Sequence, residues 1–187
     1  TTMELVMALA SRQAAADTSK IIKKAGGNST WDRLAEHLDE RTTGKPGFVI
    51  NRTFEAPVAR VFEMWTNPEH LAKWLPPSGT TMRFVRSEIA VGQSTLFVIS
   101  GEHGAMHVRA EYLAIEAPTR VVYAQQFVDE HERLAPAPGA PNWPATLLTT
   151  VGLCEESPER TRVTVTTEPH GEATAAEVAA FVDERPG

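Results

Sequence analysis

The sequence predicts an α+β fold in which consecutive strands form an antiparallel sheet and helices lie among and after them. Three observations support this prediction: a strand-to-helix transition near residue 56, a succession of short strands joined mainly by tight turns, and a final helical stretch. The resulting order is one strand, two helices, six strands and a helix. Strands that follow one another through tight turns pair as an antiparallel meander.

The first strand and the helix pair are marked by two prolines. Residues 48–55 follow the two-residue period of a strand, which Pro57 ends because proline cannot donate to a ladder and suits the first turn of a helix. Pro68 separates two helices in the same way. Apolar side chains recur at helical spacing on this pair: Val58, Val61, Phe62, Trp65, Leu71 and Trp74.

Six further strands follow, each bounded by glycine, proline or polar turn residues. A loop rich in proline and alanine, 134–144, separates the fourth of them from the fifth, and the charged run 130–133 before it is expected to be solvated. A last helix is predicted over Glu172–Val182. The six strands are predicted over Thr81–Ile89, Ser94–Ser100, Met106–Ile115, Val121–Val128, Ala145–Leu153 and Thr161–Thr167.

An N-terminal helical segment, residues 1–46, precedes the sheet domain, residues 47–187. A first helix runs from about Met3 to Ala25, and glycines then break it. A second helix, Trp31–Asp39, can be capped by Ser29 or Thr30. The apolar side chains of this second helix form one stripe: Trp31, Leu34, Ala35 and Leu38.

Composition excludes several classes of protein. A net charge of −6 argues against a nucleic-acid partner, which usually requires a basic patch. No apolar run is long enough for a membrane span, and the start of the sequence lacks the basic region of a secretory signal. The single cysteine, Cys154, excludes an internal disulfide and is expected to be structural. These features predict a cytoplasmic protein.

The stretch from Phe54 to Trp74 carries the pattern F-x-A-P-x-x-x-V-F-x-x-W-T-x-P-E-H-L-x-x-W. It resembles the opening of the helix-grip proteins, the START-like or SRPBCC superfamily. Within that superfamily it resembles the AHSA-like bacterial homologues of the activator of the ninety-kilodalton heat-shock chaperone's ATPase. Weaker agreement continues to about residue 183. The resemblance implies a strongly curved antiparallel sheet that wraps a long C-terminal helix, with a cavity between them.

The chain departs from these relatives at its C-terminal end, because they continue into the body of the gripped helix. Residues 28–38 resemble the end of that helix, so our hypothesis is that this segment fills the groove, either within one chain or by exchange in a homodimer. The linker 40–47 could span up to about 25 Å, which permits the first arrangement. The alternative is an unrelated N-terminal helical hairpin. Relatives are often dimeric, which favours a homodimer.

The implied cavity would be walled by apolar and aromatic side chains from the helix pair and the strands, as small-molecule sites usually are. His107 and Arg109 share one parity on a strand and could add a polar inner face, although a shift of one residue would turn both outward. Tyr123 could offer a hydrogen bond. The apolar candidates are Phe62, Trp65, Trp74, Leu75, Phe84, Phe97, Met106, Phe127 and Trp143.

Three functions remain open. The favoured one is a binding protein for a small hydrophobic or amphipathic molecule, which needs no catalytic residue. The second is an enzyme similar to the polyketide aromatase/cyclases of this superfamily, with His107 and Tyr123 as candidate catalytic groups. The third is a co-chaperone-like ATPase activator or stress-response interaction module. No metal-ligand spacing or cofactor motif is present, so neither a metal nor a cofactor is expected.

Overall fold

A computed structural model describes residues 47–102, 104–138, 140–171 and 173–183. The order of elements within them is the predicted one, so the α+β prediction is confirmed. The N-terminal helices predicted over Met3–Ala25 and Trp31–Asp39 lie outside the described residues. The elements are β1 Phe48–Phe54, α1 Val58–Thr66, α2 Pro68–Trp74, β2 Thr81–Ser87, β3 Ser94–Gly101, β4 Gly104–Glu116, β5 Arg120–Val128, β6 Thr146–Ser157, β7 Arg160–Pro169 and α3 Ala175–Asp183.

The strands form a seven-stranded sheet in the order β1-β7-β6-β5-β4-β3-β2. Every neighbouring pair is antiparallel. Because β1 and β2 lie at opposite edges, the helix pair between them carries the chain across one face of the sheet. α1 contacts β6 and β7, and α2 contacts β2. We call this face the helix-facing side and the opposite face the outer side.

The angle between α1 and α2 is set by a few specific contacts. The Asn67 side chain accepts a hydrogen bond of 2.9 Å from the amide of Glu69, and Pro68 occupies the first turn of α2. Trp65 and Trp74 pack edge to face with ring centroids 4.7 Å apart. The indole N–H of Trp74 donates to the carbonyl of Met64 at 3.0 Å, which ties the end of α2 back to α1.

The core on the helix-facing side consists of two clusters. In the first, Val61 of α1 packs with side chains of β4, β5, β6 and β7, among them Tyr112, Val121, Val151 and Val163. The second lies on β2, β3 and β4 and packs against Leu75, next to the end of α2. Tyr123 of β5 contacts both clusters, so it joins the two halves of the core. The buried members of the second cluster are Met82, Phe97, Val108 and Ala110.

Bulges in β2 and β4 change the parity of these strands. The register of β2 shifts between Phe84 and Arg86, and that of β4 shifts between Tyr112 and Ala114. The extra residues, Val85 and Leu113, are exposed. A bulge adds one residue to one strand, so every later side chain moves to the other face, and the strand bends.

The two largest differences from the predicted boundaries are at the end of β6 and at the start of α3. β6 continues to Ser157, so Cys154 lies within the strand, where it is exposed, and the turn falls at residues 158–159. α3 begins at Ala175, because Thr174 and Glu177 form a reciprocal cap there. Phe181 of α3 is fully buried between Phe48 and Trp143.

Candidate ligand-binding cavity

A partly enclosed cavity lies between the helix pair and the sheet, where the two core clusters meet. Its free volume is about 350 Å³ including the part that opens to solvent, but the centre of a water molecule can move through only about 20 Å³ of it. In this conformation the cavity therefore has room for little more than water. Its described walls are Trp65, Leu71, Leu75, Met82, Phe84, Phe97, Ala110, Tyr112, Tyr123 and Gln125.

The apolar part of the wall comes from every element around the cavity. Trp65 is held over it by the edge-to-face contact with Trp74, and Leu71 is buried on α2. Across the sheet, Phe84 and Phe97 are direct partners on β2 and β3, and their rings also pack edge to face at 5.7 Å. The two aromatic pairs make these parts of the wall well packed.

The polar part of the wall is confined to two neighbouring strands. Tyr112 and Tyr123 are paired across β4 and β5, with ring centroids 5.8 Å apart. Gln125 is the direct partner of Ala110, one step further along the same face. The cavity thus has one polar region, which lies on its β4–β5 floor.

Burial controls the ionisation of both tyrosines. Loss of solvent raises the pKa of Tyr123 far above its ordinary value of 10, and the nearby Tyr112 raises it further. A hydrogen bond with the Thr149 hydroxyl lowers this pKa by a smaller amount. Loss of solvent also raises the pKa of Tyr112. Both side chains are therefore neutral phenols at physiological pH, able to donate one hydrogen bond each.

Thr95 lies next to this polar region, opposite Ala110 on β3. Its side chain is 0% exposed, and its hydroxyl has no hydrogen-bond partner of normal geometry among the described residues. The hydroxyl is nonetheless close enough to Tyr112 to oppose part of the rise in the pKa of that phenol. Thr95 is not among the described wall residues, so its hydroxyl is a neighbour of Tyr112 and not a group that the cavity offers to a ligand.

His107 and Arg109 are not in the cavity wall, because they alternate along β4 with the residues that face the helices. Their neighbours Val108 and Ala110 belong to the helix-facing cluster, so His107 and Arg109 lie on the outer side. Arg109 donates instead to the side chain of Gln126, which in turn donates to Thr146 at 2.9 Å.

Arg86 and Glu132 form a further polar contact on the outer side. The Arg86 guanidinium makes two hydrogen bonds to the Glu132 carboxylate, at 2.9 and 3.0 Å, and two more to Ser94. Glu132 adopts a positive φ of 61° in the loop after β5. The charged run 130–133 is therefore not uniformly solvated as expected, although Glu130 and His131 are exposed.

The remaining sequence-predicted wall residues are placed around the cavity and not on it. Phe62 packs in the first core cluster, and Met106 and Phe127 pack in the second. Trp74 supports Trp65 from outside and is 42% exposed. Trp143 packs on Phe181 of α3, with ring centroids 5.3 Å apart. The residues that do line the cavity as expected are Trp65, Leu75, Phe84, Phe97 and Tyr123.

The sequence did not indicate Leu71 as a wall residue, although it lies on the predicted helix pair, nor did it indicate Met82 or the small and polar members of the wall. Strand parity carried a signal for them: Met82 is two residues from Phe84, and Gln125 is two residues from Tyr123. Ala110 is not aromatic, and it contributes to the cavity because its small side chain leaves space there. The overlooked wall residues are Leu71, Met82, Ala110, Tyr112 and Gln125.

Two further properties concern only the described ranges. No cluster of three or more His, Cys, Asp or Glu side chains there could hold a metal ion. The helices of the same ranges lack the length and apolar character needed to span a bilayer.

Comparison with known proteins identifies the family. Residues 55–184 match the model of the family described as "Activator of Hsp90 ATPase homolog 1-like protein". No significant match is found among curated proteins.

Solved structures share the fold. A solution structure from Arthrobacter aurescens is 25% identical, with a TM-score of 0.62 over 73% of this chain and 74% of that one. A crystal structure from Mycobacterium smegmatis is 20% identical, with a TM-score of 0.60 over 73% and 78% of the two chains. The AHSA1 protein from Silicibacter pomeroyi is 12% identical, with a TM-score of 0.53 over 74% and 96%. With the sheet order, the helix pair and the family match in agreement, the chain belongs to the Activator of Hsp90 ATPase homolog 1-like family and has its helix-grip, START-like fold.

Proposed function

We propose that this protein binds a small hydrophobic or amphipathic molecule in the cavity between the helix pair and the sheet. The observation that carries the proposal is the composition of the wall, in which aromatic and aliphatic side chains surround one small polar region. Ligand sites of small molecules usually have this character. Because the free space is narrow, binding of a molecule larger than water would require the cavity wall to move apart.

The arrangement favours binding over catalysis. His107, the residue best suited to proton transfer, lies on the outer side of β4. Tyr123 has a raised pKa and is a poor base, because its phenolate is disfavoured by burial. The described wall contains neither a nucleophile beside a base nor a pair of carboxylates.

The test combines co-purification with filling of the cavity. Native mass spectrometry of freshly purified protein, followed by denaturing extraction, should release a small apolar molecule, and adding it back should raise Tm and quench tryptophan fluorescence. Ala110→Phe should fill the cavity and reduce that binding at least tenfold. Ala105→Phe is the matched control, because Ala105 is exposed at the start of the same strand. Equal binding by both variants would contradict the proposal.

The family's description suggests activation of a chaperone ATPase as the second candidate. This function would use an external surface of the protein. An ATPase-stimulation assay distinguishes the two functions, because Ala110→Phe should leave stimulation unchanged if the surface acts alone. Stimulation by the wild-type protein together with an empty cavity would favour the co-chaperone function.

A further inference from the structure

We propose that the cavity selects ligands that are uncharged at neutral pH and that hold a carbonyl, amide or hydroxyl group against Gln125 and Tyr123 on the β4–β5 floor. This inference rests on the proposed function and names the chemical class of its ligand. It rests on two observations: the described wall carries no charged side chain, and its neutral hydrogen-bonding groups lie together in one place.

All of the side chains that line the cavity in the described ranges are neutral at pH 7. A carboxylate or an ammonium group moved from water into such a site keeps its charge without a counter-ion, which is strongly unfavourable. The wall therefore disfavours fatty acids and amines relative to neutral molecules of the same shape.

Arg86 and Arg109, on the wall strands β2 and β4, are turned away from the cavity by the strand geometry. Arg109 lies on the outer side and is bonded to Gln126. Without the bulge at Val85, Arg86 would share the parity of Met82 and Phe84 and point to the helix-facing side. The bulge places it opposite Leu96 on the outer side, where Glu132 and Ser94 use its guanidinium.

The adjacent glutamines Gln125 and Gln126 of β5 differ in the hydrogen bonds that their side chains make. The side-chain amide of Gln126, on the outer side, is satisfied by Arg109 and Thr146. That of Gln125, in the cavity wall, makes no hydrogen bond to a described residue. The Gln125 amide is half-buried in the wall, so it is available to a ligand group that both donates and accepts.

Tyr123 adds a second neutral hydrogen-bonding group to the wall beside Gln125. Tyr123 is two residues before Gln125 on the same face of β5. These neutral donors and acceptors fit a carbonyl, amide or hydroxyl group, and a ligand that carries one would gain hydrogen bonds there without a charge to desolvate.

The test uses four ten-carbon probes with different polar ends: decanamide, decan-1-ol, decanoate and decylammonium. Calorimetric titration at pH 7.5 should show decanamide and decanol binding at least tenfold more tightly than the two ions. Gln125→Leu should weaken decanamide binding about tenfold, whereas Gln126→Leu should not change it. Gln125→Glu, which keeps the shape of the side chain, should reverse the ranking in favour of decylammonium and controls for misfolding of the leucine variant.

The outcomes separate this inference from the function on which it rests. If decanoate or decylammonium binds as tightly as decanamide, and Ala110→Phe abolishes that binding, the cavity binds ligands but the neutral class is wrong. If Gln125→Leu and Gln126→Leu are equivalent, the assigned polar region is wrong. If none of the probes binds, the proposed function and this inference both fail.

Discussion

At the scale of single residues, Tyr123 and Gln125 give the cavity its chemical character. Both face α1 and α2 from β5, and Tyr123 also connects the two core clusters. The sequence indicated Tyr123, because an aromatic side chain on a strand is a visible candidate. It did not indicate Gln125, since Gln125 and Gln126 are the same residue type and differ only in the face that they occupy.

The first prediction concerns the ionisation of the tyrosines. The chain has two, Tyr112 and Tyr123, and burial raises the pKa of both. We expect absorbance at 295 nm to stay nearly flat through pH 10 in the folded protein, whereas the urea-unfolded chain titrates near 10. Ionisation of either tyrosine near pH 10 in the folded state would show that the cavity floor is open to solvent.

The same shifts give the sign of a pH effect on stability. A group whose pKa is raised on folding contributes stability that is fully present below its unfolded pKa and is lost as pH rises towards the folded value. The two tyrosines should therefore make the free energy of unfolding fall above about pH 10. Tyr123→Phe should reduce this alkaline loss, which urea unfolding at pH 9 and pH 11 measures.

At the scale of elements, α3 is the clearest case in which local sequence sets a boundary. The Thr174 hydroxyl accepts from the amide of Glu177 at 3.2 Å, and the Glu177 carboxylate accepts from the amide of Thr174 at 2.7 Å. The Thr174 amide and hydroxyl both donate to the Glu177 carboxylate, which lowers the pKa of Glu177. The pattern T-x-x-E at residues 174–177 is typical of a helix start. The predicted helix began earlier, at Glu172, because residues 172 and 173 are also compatible with a helix.

The second prediction tests this cap. Thr174→Ala should cost about 1 kcal/mol, because it removes the acceptor for the Glu177 amide, whereas Thr174→Ser should retain most of the stability. Loosening of α3 should expose Trp143, which packs on Phe181, and shift tryptophan emission to the red. Urea unfolding with fluorescence detection measures both effects. Equal stability of the alanine and serine variants would contradict the capping role.

In the helix pair, the sequence indicated the boundaries of the helices but not the contacts between them. Both prolines marked its boundaries correctly, since proline acts through its own ring and the residue before it. The contact of Trp74 with Trp65 and with the Met64 carbonyl was not predicted, because it depends on the angle between the helices. Trp74 therefore supports the cavity wall from outside.

At the scale of the whole molecule, the start of β1 lies against the end of α3. The ring of Phe48 stacks on that of Phe181 with centroids 5.7 Å apart. The chain before residue 47 thus enters the sheet beside the place where the gripped helix of the fold would continue. This position is compatible with the hypothesis that residues 28–39 fill the groove, which stays a prediction because they lie outside the described residues.

The third prediction tests that hypothesis. If the stripe of the predicted helix Trp31–Asp39 is buried in the groove, Leu34→Ala should destabilise the protein by about 2 kcal/mol or more, as core truncations do. Glu36→Ala, on the opposite face of the same helix, should change stability by less than about 0.5 kcal/mol. Thermal unfolding compares them, and equal effects would favour the unrelated hairpin. Native mass spectrometry reports whether the arrangement is within a monomer or exchanged in a dimer.

The sequence by itself determined the order of the elements and the family, because proline, turn residues and hydrophobic periods act over a few neighbouring positions. Only the tertiary structure decided which side chains meet in the cavity. A bulge at Val85 or Leu113 reverses strand parity, and strand pairing joins Ala110 to Gln125 and Thr95 across the chain. Those contacts depend on register between distant segments. The sequence therefore left the facing of His107 and Arg109 open, and they lie outside, while Gln125 was overlooked and lines the wall.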